Sequence, residues 1–168
     1  PNDKSGTGTI TCDTYNGSTL IGSKPTSFTA TVNESASKPT LNPTAVDVNT
    51  TTTALTGDSS KFIKYYSNAS VSTGASARNS ATLTSQKITC GAKSISSASG
   101  TINSVESGSF TFSATDSRGY PATQTVNKTL IEYIKLTCSL NAGAPTTAGV
   151  ATLKISGNYF NGSFGKVA

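Results

Sequence analysis

Hydrophobic and polar positions alternate most regularly between residues 110 and 140. Phe110, Phe112 and Ala114 alternate with Thr111, Ser113 and Thr115, the period of two that marks a strand with one buried face. Asp116-Ser117-Arg118-Gly119 follows, where an Asp that bonds its own backbone and a Gly free to take positive φ turn the chain back. Tyr120, Ala122 and Val126 return to one parity, with Thr123, Thr125, Asn127 and Thr129 on the other, so the pair is predicted to be a β-hairpin. The apolar parity continues to Leu140. A single strand from Tyr120 to Leu140 would be about 70 Å long at about 3.3 Å per residue, far beyond ordinary strand lengths. It has to break where Lys128 and Glu132 interrupt the apolar positions, and residues 129–134 are expected to join two β units.

The rest of the chain reads as shorter strands. Residues 1–22 are polar and Gly-rich, with one alternating piece at Ile10-Thr11-Cys12. Phe28, Ala30 and Val32 predict a strand, and Pro39 and Pro43 mark a connector or an edge because neither can donate to a ladder. Ala45-Val46-Asp47-Val48 predicts a short strand, Thr50 to Thr53 a β-prone edge, and Gly57-Asp58 a turn. In the aromatic cluster at 62–66, Phe62 and one tyrosine are expected in the core and the other tyrosine on the surface. Residues 70–77 and 81–90 read as a hairpin around Arg78-Asn79-Ser80. Leu83 and Ile88 on opposite parities imply a bulge near Ser85. Ile95, Ile102 and Val105 suggest short strands linked by Gly100. Beyond a loop at 141–149, Ala151, Leu153, Ile155 and Tyr159 share a parity again. The fold class is all-β, with immunoglobulin-like β-sandwich modules in tandem. A leading segment at 1–42 is the end of a preceding β module plus a connector, 43–133 is one sandwich, and 134–168 opens a second, incomplete one.

Composition narrows the chemistry. The 168 residues are 34% hydrophobic, and Ser and Thr supply roughly a third of them. That suits thin cores and strands with one wet face, and no helical stripe with a period of 3.6 is present. The net charge of +5 comes from 13 basic residues scattered singly against 8 acidic ones, so no nucleic-acid footprint is expected. The absence of His excludes Ser/His/Asp and Cys/His nucleophilic arrangements and, with no CxxC spacing, argues against zinc. The eight acids lie too far apart in sequence to suggest a glycosidase pair. Asp47, Asp58 and Asp116 are read as turn caps rather than calcium ligands. No catalytic residue, metal or cofactor is therefore expected, nor an enzyme. Cys12, Cys90 and Cys138 stand in strand-like settings and read as small buried apolar residues, with a bridge between two of them left open. No apolar run is long enough to cross a membrane. The six Asn-X-Ser/Thr sequons, at Asn16, Asn33, Asn49, Asn68, Asn127 and Asn161, are little more than composition provides. Candidate surface contacts are the aromatic faces of Tyr65, Tyr66, Tyr159 and Phe160, which suit a sugar or a protein partner.

DSRGY at 116–120, NKTLIEYIKLT at 127–137 and LKISGNYFNGSFG at 153–165 together resemble an uncharacterised family of minor structural proteins from siphoviruses of Gram-positive hosts. The segment at 49–62, with Leu55-Thr56-Gly57, is similar too, so the resemblance runs from about Pro43 onward. Membership implies an extracellular virion component, a tail-tip or tail-fibre protein with repeated β-sandwich modules and no established catalytic residues. The partners implied are other tail proteins, copies of the chain itself and a host cell-wall glycan, with no nucleic acid and no membrane insertion. Two other functions fit the same residues. One is a carbohydrate-binding module contacting the host wall through Tyr65, Tyr66 or the Tyr159-Phe160 loop. The other is an immunoglobulin-like cell-surface adhesin.

Overall fold

The computed structural model describes residues 3–166. In chain order its elements are β1 (Ser5–Asn16), β2 (Thr19–Thr31), α1 (Glu34–Ser37), β3 (Thr44–Asp47), α2 (Thr50–Thr56), β4 (Lys61–Ile63) and β5 (Ala69–Ser72). There follow β6 (Leu83–Cys90), β7 (Lys93–Ile95), β8 (Ser99–Ile102), β9 (Ser109–Asp116), β10 (Pro121–Asn127), β11 (Thr129–Ile131), β12 (Thr137–Ala142) and β13 (Leu153–Asn158). Strands and bridges take 51% of the described residues and helices 7%, as an all-β reading requires.

The expected hairpin is present. β9 and β10 pair antiparallel, Phe110 opposite Val126 and Ala114 opposite Ala122, and every even-numbered side chain of β9 is buried. They belong to a four-stranded sheet in the order β10-β9-β6-β7, and a three-stranded sheet runs β3-β5-β8. The two sheets share one core. Ala45, Ala69, Val71 and Ile102 come from the smaller sheet, and Ile88, Cys90, Phe110 and Phe112 from the larger. Phe62 meets Phe110 ring to ring at 5.3 Å. Burying side chains of this size contributes about 1.5–3 kcal/mol each, which is how so polar a chain holds two layers together.

Four local expectations are corrected. The Thr run forms helix α2, because Asn49 caps it and the threonine hydroxyls bond back to carbonyls of their own turn. Residues 70–90 do not form a hairpin, since β5 and β6 lie in different sheets. The turn at Asn79 and Ser80, both with positive φ, instead carries the chain from one layer to the other. Neither tyrosine after β4 enters the core: Phe62 and Ile63 fill it, and the reversal at Tyr65, φ 67°, leaves Tyr65 and Tyr66 exposed. Gly100 lies inside β8, where the Ile95 side chain rests on it, rather than linking two strands. The register shift between Leu83 and Ser85 is the bulge that parity implied.

The long strand after Tyr120 does break at Lys128. Its continuation, β11, pairs parallel with β4, Leu130 opposite Phe62. Outside the two sheets lie two separate antiparallel hairpins, β1–β2 and β12–β13. The segment 1–22, read as a polar leading segment with one alternating piece at 10–12, supplies β1 and the start of β2 from its described residues. Both hairpins are open to solvent along their length. For this reason the cysteines differ. Cys90 is buried in the core, whereas Cys12 and Cys138 are exposed, and all three are free thiols.

Candidate functional site

Where the end of the described chain returns to α2, six aromatic and aliphatic side chains meet. α2 exists because its ends are closed locally: the Asn49 side chain accepts from Thr51 N–H at 3.0 Å, and Gly57, at φ 66°, donates to the Thr53 carbonyl at 2.8 Å. Asn49 Nδ2 also donates to the Tyr66 carbonyl at 2.8 Å, which draws the tyrosine turn against the helix. From the other side Lys166 N–H donates to the Leu55 carbonyl. Between these ties Phe160 stacks on Phe164 with centroids 4.7 Å apart. Tyr133 lies 5.5 Å from Phe160 and 5.9 Å from Phe164, and it meets Tyr66 edge-on at 5.0 Å. The cleft that results, about 330 Å³, is floored by Leu55, Ile63, Tyr66, Tyr133 and Phe164 with Thr51 and Thr52 at its side. Its walls are largely apolar, so it can seat an aliphatic, aromatic or sugar-ring face.

Of the four surface contacts expected, Tyr66 and Phe160 are brought together, each touching Tyr133. Tyr65 stands apart with Lys64 Nζ over its ring at 5.5 Å. Tyr159 lies just past β13 and is 66% exposed. Tyr133 and Phe164 were not among the expected contacts. An available signal was parity: Tyr133 sits at an odd position within an even-numbered apolar run.

The DSRGY turn is a polar joint rather than a contact site. Asp116 Oδ1 accepts from the N–H groups of Arg118 at 2.9 Å and Tyr120 at 3.0 Å. Its Oδ2 takes the guanidinium of Arg118 through Nε and Nη2 at 3.0 and 2.7 Å. Nη2 goes on to the carbonyls of Ser37, 2.7 Å, and Arg78, 3.0 Å, and Tyr120 OH donates to the Val32 carbonyl at 3.0 Å. Lys4 Nζ lies 4.9 Å from the centre of the Tyr120 ring. One turn thus ties β9, the 78–80 crossover, α1 and the base of the first hairpin. Burial pushes the Asp116 pKa up, but the N–H groups and the Arg118 charge together outweigh it, and the carboxyl ends below its ordinary value. Asp47 is a second buried carboxylate. It accepts from the N–H groups of Asn49 and Asn68 and from the hydroxyls of Thr52 and Ser67. Asp58 accepts from Ser60 N–H at 2.8 Å. All three candidate acids therefore act as turn caps, and among the described residues no group of three acids or cysteines is placed to hold a metal.

A family model described as siphovirus protein of unknown function (DUF859) matches residues 1–158. No similar protein was found among curated proteins.

Proposed function

The chain belongs to this siphovirus family, and on that premise we propose that it is a non-enzymatic structural component of the phage tail, a tail-fibre or tail-tip module that spaces or presents host-attachment elements. The observation that carries the reading is the architecture: a β core with a hairpin tied to each end of β9. Val32 and Lys4 approach the Asp116 end through Tyr120, while Lys128 bonds Gly108 at the other end and leads on to β12. A unit held at both ends of its central strand transmits position from one neighbour to the next. Its partners on this reading are other tail proteins and further copies of itself.

The core supports an immunoglobulin-like reading as well. With β3, β5, β6, β7, β8, β9 and β10 taken as strands A, B, C, C′, E, F and G, the sheets are A-B-E and G-F-C-C′. That is the strand order of an immunoglobulin-like sandwich in which the strand after C stays paired with C. Tails separated from heads on a density gradient and digested for mass spectrometry test the assignment. Peptides of this chain are expected in the tail fraction, and their confinement to heads or to unassembled lysate protein would refute it.

A second reading, a site for host cell-wall glycan, draws on the aromatic cleft beside the exposed Tyr66, since ring faces next to a threonine hydroxyl suit a sugar. A glycan array compares the chain with Tyr66→Ala. Loss of a wall-glycan signal supports this reading, and unchanged binding removes the site.

A further inference from the structure

Two Asn-Gly pairs stand in nearly identical local sequence, Tyr15-Asn16-Gly17-Ser18 and Phe160-Asn161-Gly162-Ser163, and the fold treats them differently. Asn16 is the last residue of β1 and pairs with Thr19 across a tight turn in which Gly17 takes φ 61°. The ladder holds its backbone extended. Asn161 lies in the segment that runs from β13 back to α2, outside any strand or helix. It is exposed, as is Gly162. Among the described residues the backbone of 160–165 makes no hydrogen bond to another backbone group. Side chains hold this segment instead: Phe160 stacks on Phe164 at 4.7 Å, and both rings meet Tyr133.

That packing also sets the glycine. The Phe160 ring lies over Gly162, and a Cβ there would stand 2.7 Å from Phe160 Cζ, so a side chain at 162 would push the ring off its neighbours. The same bare Cα leaves the Gly162 nitrogen without a side chain to shield it. A segment with a free backbone can turn the side-chain carbonyl carbon of Asn161 onto that nitrogen. For Asn16 the same motion has to break the end of the ladder.

We infer that Asn161 is a site of spontaneous covalent modification, passing through a cyclic imide to isoaspartate and aspartate, and that the first hairpin protects Asn16 from the same reaction. The Gly162 nitrogen gives its proton to hydroxide and bonds to Asn161 Cγ. The Cγ–Nδ2 bond breaks, and Nδ2 takes a proton from water and leaves as ammonia, which restores the hydroxide. Water then adds to either carbonyl of the imide. Breaking the nitrogen's bond to Cγ gives aspartate; breaking its bond to the main-chain carbonyl carbon gives isoaspartate, whose main chain runs through Cβ and Cγ. That extra methylene falls between the stacked rings of Phe160 and Phe164. It shifts one ring against the other, and a carboxylate now stands beside them. Phe164 is a wall of the aromatic cleft, so the modification opens the cleft on that side. The inference is independent of the tail assignment.

The purified chain is incubated at neutral and mildly alkaline pH and its peptides are read by mass spectrometry with electron-based fragmentation, which separates isoaspartate from aspartate. Asn161 is expected to convert at least about tenfold faster than Asn16, and faster as the pH rises. In urea the two rates are expected to converge, because the local sequences match. Equal rates in the folded protein, an Asn161 that persists, or rates that stay apart in urea would each overturn the proposal. Asn161→Asp carries the new charge without the longer main chain. Amide exchange at Lys166, which bonds the Leu55 carbonyl, is expected to be faster in the isoaspartate form than in Asn161→Asp. Equal exchange in the two would refute the opening of the cleft by the added methylene.

Discussion

Arg118 shows how much one side chain can do in so polar a protein. Its guanidinium holds Asp116 and bonds carbonyls 81 and 40 residues away in sequence. Removing one partner of a buried pair costs about 3–5 kcal/mol because the other charge is left bare. Arg118→Met is therefore expected to lose that much in urea denaturation and to loosen the first hairpin along with the core. The pH dependence follows from Asp116, whose folded pKa lies below the ordinary 3.8. Its contribution is fully present above that value and is lost as pH falls through the lower folded one. Acid thermal scans should show the melting temperature falling below about pH 4, with a shallower decline in Asp116→Asn. Cys90 behaves differently: burial pushes its thiol pKa up. Maleimide at neutral pH should label Cys12 and Cys138 and spare Cys90, as mass spectrometry of the labelled protein will report. The Asp and Gly of this turn were readable from sequence because their chemistry is local. The reach of Arg118 was not, since its acceptors are backbone carbonyls that carry no residue signature.

At the scale of elements, what was legible had a period. The alternation in β9 and β10 specified strand, face and partner together, and the limit on strand length called for a break between Lys128 and Glu132; β10 ends just before the first of these. Helix α2 escaped because seven residues hold barely two turns and threonine prefers strands. Local capping by Asn49 and Gly57 overrode that preference. Asn49→Ala should cost about 1 kcal/mol as a lost cap, with more from the freed Tyr66 carbonyl, measured by equilibrium unfolding. The aromatic cluster was half legible. Tyr66 and Phe160 were among the expected contacts, but Tyr133, which joins them, was not, because 67 residues separate it from Tyr66. Each ring pair is worth about 0.5–1.5 kcal/mol, and Tyr133 takes part in three. Tyr133→Ala is expected to speed amide exchange in residues 160–166 by at least about tenfold, while exchange in β9 stays unchanged. Equal acceleration in both would mean that the cluster supports the core rather than the returning segment.

For the whole molecule, composition announced thin two-layer β structure, and the core has it. What the sequence did not disclose is that β1 and β2 form a hairpin as long as any element in the protein. Gly-rich and Thr-rich strands with few apolar residues resemble loops when read one residue at a time. The family is that of a siphovirus protein of unknown function, which leaves the position of the chain in the virion to be measured. Immunogold labelling of intact virions with antibody to this chain tests the tail assignment most directly. Gold is expected along or at the tip of the tail in preparations from which free protein has been removed. Gold confined to the host cell wall or to the capsid, with bare tails, would contradict it.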